Sequence, residues 1–253
     1  MTTTPTPPPT PTSPATPTSP DGVHHLAVMT NDMKGQLEFF TQVLGLPLVA
    51  LYDMHGVDGA WHGFVELNPT TYLAFCMVPG VEDVEPTLGV THAGTGAGVS
   101  APGTMQHVAF AVSTEEGLLA IRDRLRSAGV VALGPLDHGM CKSLYFAGPE
   151  GLTLEVAWSP AAIDGDDWID PEVCAAAGIS ADDIARFRAP APFAPGDEPV
   201  AQPALDTGMP LMAYPPEEMA LMASLPDDVV ARVASVPDSP RVLRARAAAG
   251  GEG

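Results

Sequence analysis

Between Gly22 and about Trp158, short alternating or continuous apolar runs are separated by Gly, Pro, Asn and Asp, the pattern of strands joined by turns. Two longer stretches instead space their apolar residues three and four apart, as one face of a helix does. The first strand is expected over residues 25–30 and leads into a helix over 33–44. Leu37, Phe40 and Leu44 share one face of that helix, and Gly45 is placed to stop it. Strands follow near 48–52, 60–67 and 72–78. The order then recurs: a strand over 106–112, a helix over 114–128 with Leu118, Ile121 and Leu125 on one face, and strands near 130–133, 143–146 and 152–158. Thr114 is a good N-cap, Glu115 and Glu116 suit the positive end of the helix dipole, and Gly129 follows the last turn. Residues 79–103, rich in Gly, Pro and Thr, read as a linking loop.

The flanks read differently. Residues 1–20 contain eight Pro and eight Thr and little that can be buried, so an arm over 1–21 is expected to be disordered. Beyond the domain at 22–158, residues 159–253 form a Pro- and Ala-rich acidic extension with short helical candidates at 171–177, 180–187 and 216–236. Asp170 precedes a first-turn Pro171, and Ser180 stands three residues before Asp183 in the spacing of a capping box.

Composition narrows the classes. Asp plus Glu number 31 against 11 Lys plus Arg, a net charge of −20, which excludes nucleic-acid binding driven by phosphate contacts. No apolar run approaches the length of a membrane span, and the start lacks a charged-then-apolar leader, so a cytoplasmic protein is expected. Cys76, Cys141 and Cys174 form no CxxC pair and read as reduced thiols.

The recurrence is visible in residues as well as in elements. His24-His25-Leu26-Ala27-Val28 is echoed by Gln106-His107-Val108-Ala109-Phe110, and the stretch from Asn68 to Phe75 by that from Gly148 to Glu155. The fold class that follows is α+β, two tandem βαβββ modules forming a curved mixed sheet. Strand alternation puts His25 on the face of Ala27 and His107 on the face of Ala109 and Ala111, with His24 on the opposite face. If the modules combine about a pseudo-twofold axis, His25 and His107 meet, and Glu155 on the last strand joins them. Two imidazoles and one carboxylate with open positions suit Fe(II) and other divalent metals. In this alignment the first-module counterpart of Glu155 is Phe75, which cannot bind a metal.

At these residues the chain resembles the vicinal oxygen chelate superfamily, which includes glyoxalase I, extradiol dioxygenases, and fosfomycin- and bleomycin-resistance proteins. The resemblance covers about 22–158. It implies paired βαβββ modules and a metal site of His25, His107 and Glu155. The run from Ser143 through Tyr145, Pro149 and Gly151 to Glu155 is similar to a closing motif of dioxygenase-like members. With His138 it also keeps the spacings of the extradiol signature, although Leu136 and Gly148 depart from it. The resemblance makes Tyr145 and His138 catalytic groups that bond substrate and handle protons. It implies Fe(II), with Mn(II) or Zn(II) as alternatives, a small-molecule substrate of catechol type, and a homodimer.

The leading expectation is thus an extradiol-type ring-cleaving dioxygenase. The alternatives are a glyoxalase-like lyase or isomerase, and a non-catalytic drug-binding protein of the bleomycin-resistance kind. His62 and Glu66, on the third strand, are secondary candidates for the site. Cys141 and Lys142 stand near the expected pocket mouth, without a partner that spacing identifies.

Overall fold

The computed structural model describes residues 19–250, so the arm expected over 1–21 falls almost wholly outside them. The described residues divide into two compact units. One comprises 24–170 with 225–250, and the other 19–23 with 171–224.

In the larger unit the repeat is present as two four-stranded mixed sheets. The first module runs β1 (His25–Met29), α1 (Met33–Glu38), β2 (Leu48–Asp53), β3 (Trp61–Asn68) and β4 (Thr71–Met77), in the sheet order β1-β4-β3-β2. The second runs β5 (Val108–Ala111), α2 (Glu115–Ser127), β6 (Leu133–Asp137), β7 (Lys142–Ala147) and β8 (Thr153–Trp158), in the order β5-β8-β7-β6. In each module the first strand pairs parallel with the last, and the remaining pairs are antiparallel.

Local chemistry explains the helices. Asp32 caps α1 by accepting from the Gly35 amide, and Thr114 caps α2 by accepting from the Gly117 amide. The expected first helix does not stay α-helical to its end. Past Glu38 it widens into a π-turn over Phe39–Val43 and ends at Gly45, whose φ of 82° is the left-handed conformation a stop requires. Phe40 is fully buried there and meets the rings of Phe75 and Phe110. One apolar core therefore serves both modules, joining Phe40, Leu73 and Phe75 to Leu118, Leu125, Leu144 and Leu154.

The second module also holds both ends of the first module's helix. Arg124 of α2 donates from Nε to the Val43 carbonyl at 2.6 Å and from a terminal nitrogen to that of Gln42 at 3.2 Å. At the other end, Glu150 accepts from the Thr30 hydroxyl at 2.5 Å, the Asn31 amide at 2.8 Å and the Gln36 side chain at 2.7 Å. Glu150 itself sits at φ 53°, in the turn between β7 and β8.

Three elements depart from expectation. β6 lies over Leu133–Asp137 rather than 130–133, because an edge strand tolerates Pro135, which has no amide to give to the ladder. The helix expected over 216–236 is broken by Pro226 into two, Pro216–Ser224 and Asp227–Ala234. A further helix, Pro240–Gly250, follows them. In the smaller unit, the helix Ala181–Arg188 begins with the Ser180–Asp183 capping box that the spacing indicated.

Candidate functional site

Pairing register decides which side chains share a face. In the second module Ala109 is opposite Glu155, which is opposite Tyr145, so all three point away from the helix-side core formed by Leu154 and Val156. His107, two residues before Ala109, joins them. Its Nε2 lies 2.8 Å from Glu155 Oε2, and Glu155 is only 5% exposed. The Tyr145 ring lies edge-on to His107, with centroids 6.1 Å apart, and its hydroxyl is 3.2 Å from His138 Nε2. His107 just before β5, Tyr145 on β7, Glu155 on β8 and His138 from the β6–β7 turn thus form a polar cluster.

The electrostatics of the cluster are asymmetric. Burial pushes the Tyr145 hydroxyl pKa up, and the Glu155 carboxylate pushes it further, so Tyr145 is a neutral donor near pH 7. Beside it, Ser143 is fully buried, and Cys141 Sγ lies 3.6 Å from Ser143 Oγ. Lys142 does have a partner: its ammonium is 2.5 Å from Glu115, across from the first turn of α2.

The linking loop folds down onto this site. Gln106 donates from its side-chain amide to the carbonyls of Thr95 at 3.0 Å and Gly98 at 3.2 Å, while its own side-chain oxygen contacts His107 Nδ1. Gly96 lies against the Tyr145 ring, where an added Cβ would approach to 3.0 Å. Neither contact was legible from spacing, since alternation alone sends the residue before His107 to the other face.

His25 is placed elsewhere. Its ring centroid is 5.5 Å from that of Phe64 and 6.3 Å from that of His62, and its Nδ1 is 3.0 Å from His24 Nδ1. Burial, and then the charge of His25, lowers the His62 pKa, and the buried His62 Nε2 has no hydrogen-bond partner among the described residues. The structure therefore brings together His107 and Glu155, and Tyr145 and His138, but leaves His25 with His62. Among the described residues no three His, Cys, Asp or Glu side chains are grouped to hold a metal ion. The His107 nitrogen and the Glu155 oxygen are donors of the kind a divalent cation takes, and these two fit one. Register also corrects the counterpart of Glu155. Ala27 is opposite Ala74, as Ala109 is opposite Glu155, so Ala74 holds that position and Phe75 matches the core residue Val156.

A family model described as the Glyoxalase/Bleomycin resistance protein/Dioxygenase superfamily matches residues 22–156, more than half of the chain. The chain belongs to that superfamily. Its two βαβββ modules are the fold of the glyoxalase/bleomycin resistance/dioxygenase superfamily, whose name spans enzymes and resistance proteins alike. No curated protein matches the chain. Solved structures similar to it include a glyoxylase/bleomycin resistance protein/dioxygenase domain from Frankia sp. EAN1pec, with 16% identity, 56% of this chain and 99% of that chain covered, and TM-score 0.45. Another is TnmS3, an antibiotic binding protein from Streptomyces sp. CB03234, with 18% identity, 56% and 98% covered, and TM-score 0.40. A third is a variant of the fosfomycin resistance protein FosX from Listeria monocytogenes, complexed with Mn(II) and 1S,2S-dihydroxypropylphosphonic acid. It has 12% identity, 60% and 100% covered, and TM-score 0.40. Among the described residues no helix is long and apolar enough to cross a membrane.

Proposed function

We propose that this superfamily member is a metal-dependent enzyme acting on a small organic molecule with two adjacent oxygens, and that its reaction is extradiol-type ring cleavage dependent on Fe(II). The observation that carries this reading is the buried Glu155 carboxylate in contact with His107 Nε2, beside the Tyr145–His138 pair. When bound, a divalent cation supplies Lewis-acid polarisation of the substrate oxygens. His107 and Glu155 are two of its ligands, and the third is His25, which must leave His62 to join them. The protein's own part is positional and protonic. Tyr145, kept neutral by burial and by Glu155, offers its hydroxyl proton to a substrate oxygen, and His138 Nε2 lies where it can exchange a proton with that hydroxyl.

The second reading, a binding module without chemistry, is favoured by one observation: His25 stands with His62 and Phe64 rather than with Glu155. Titration with Fe(II), Mn(II) and Zn(II) under anaerobic conditions separates the two. Enzyme function requires one cation per chain, with affinity reduced at least ~10-fold in each of H25A, H107A and E155Q, and oxygen uptake with a catechol in the Fe(II) protein. Binding indifferent to H25A, or no oxygen uptake with any catechol tried, returns the reading to a binding module.

A further inference from the structure

The residue before the candidate ligand histidine reaches its Nδ1 in both modules. In the first module His24 does so, 3.0 Å from His25 Nδ1, and in the second Gln106 contacts His107 Nδ1. The two contacts differ in what they fix. Either ring nitrogen of His24 can donate or accept, so the first contact leaves the His25 tautomer open. Gln106 has no such freedom. The carbonyls of Thr95 and Gly98 accept only, so the nitrogen that faces them must be the amide NH2. The atom left towards His107 is then the side-chain carbonyl oxygen, which also only accepts. His107 Nδ1 must carry a proton to meet it, and the ring's other nitrogen, Nε2, is the one turned to Glu155.

We infer that Gln106 is a positioning residue for His107: clamped by the linking-loop carbonyls of Thr95 and Gly98, it holds the Nδ1–H and thereby presents Nε2 to whatever cation sits against Glu155. A hydrogen bond of this kind, on the far nitrogen of a metal-ligating histidine, fixes the tautomer and the ring plane. The loop is part of the device, because without its two carbonyls the amide is free to turn its NH2 towards Nδ1. The metal half of this inference rests on the function proposed above, whereas the orientation of the ring does not.

The test uses the full-length, metal-free protein labelled with 15N, with the His107 signals assigned by their loss in H107Q. The native protein is expected to show a slowly exchanging Nδ1–H resonance for His107. In Q106A that proton exchanges with solvent and its resonance disappears. Thermal unfolding midpoints of the two proteins show whether each is folded, and the native spectrum stands as a test by itself if Q106A is not. Mn(II) affinity, read by electron paramagnetic resonance, is expected to fall about 10–100-fold in Q106A. A native protein without the resonance, a Q106A protein that keeps it, or a Q106A protein with native Mn(II) affinity overturns the inference. A native protein that shows the resonance, loses it in Q106A and takes up no Mn(II) supports the positioning role and removes the metal-dependent reading instead.

Discussion

Glu150 shows how a single side chain can hold a fold together through its charge. Burial alone would push its pKa up, but donors from Thr30, Gln36 and the Asn31 amide outweigh that, and the carboxyl titrates below its ordinary value. A carboxylate whose pKa is lower in the folded state contributes stability above its unfolded pKa, and that contribution is lost as pH falls through the folded value. Replacing Glu150 with Gln is therefore expected to destabilise the protein at neutral pH, by about 1–3 kcal/mol for a part-buried charged acceptor, and to flatten the acid side of the stability profile. Urea unfolding of both proteins from neutral pH down into the carboxylate range checks this, and parallel profiles would contradict it. Gly96 makes a second expectation at this scale. G96A places a methyl group against the Tyr145 ring and should shift the Tyr145 and His138 side-chain resonances with little change in global stability.

At the scale of elements, the π-turn after α1 and the Arg124 cap belong together. A helix end leaves carbonyls without intrahelical donors, and Arg124 reaches from the other module to satisfy those of Gln42 and Val43. R124A is expected to cost about 1–3 kcal/mol, since hydrogen bonds to a charged donor are stronger than neutral ones. F40A, which empties the centre of the shared core, should cost about 3–5 kcal/mol. Both are read by equilibrium denaturation. The elements themselves were legible in the sequence wherever periodicity and caps agreed, as at Thr114 and at Ser180 with Asp183. They were not legible where chemistry overrode pattern, as at Pro135 on an edge strand or at the widened turn over Phe39–Val43. The slip from Ala74 to Phe75 has a similar origin. The β3–β4 hairpin closes with two residues between its strands, whereas β7 and β8 are joined through Gly148–Leu152, so aligning the turns misaligns the strands by one.

For the whole molecule, the duplicated sequence indicated the fold, and the family match bears that out. The structure sets Tyr145 beside His138 and His107 beside Glu155, four residues that the sequence singled out. What the sequence did not contain is the placement of His25, because strand alternation assigns a face but not the distance between two sheets, and the His25 ring lies towards His62 of β3 within its own sheet. A net charge of −20 also acts at this scale. It draws cations towards the surface and screens with salt, so the association rate of Mn(II), followed by stopped flow, should fall as sodium chloride rises. If the metal site forms as proposed, Mn(II) at about 100 times its dissociation constant should raise stability by about 2.7 kcal/mol, and E155Q should abolish that gain.

The grip of Arg124 and Glu150 on the opposite ends of one helix bears on how the duplicated halves depend on each other. Arg124 and Glu150 both belong to the second half, so the first half alone lacks the groups that complete its helix ends, and each half alone lacks the other's share of the common core. A chain severed between Pro79 and Gly103 should yield pieces that stay unstructured alone and regain native circular dichroism only when mixed.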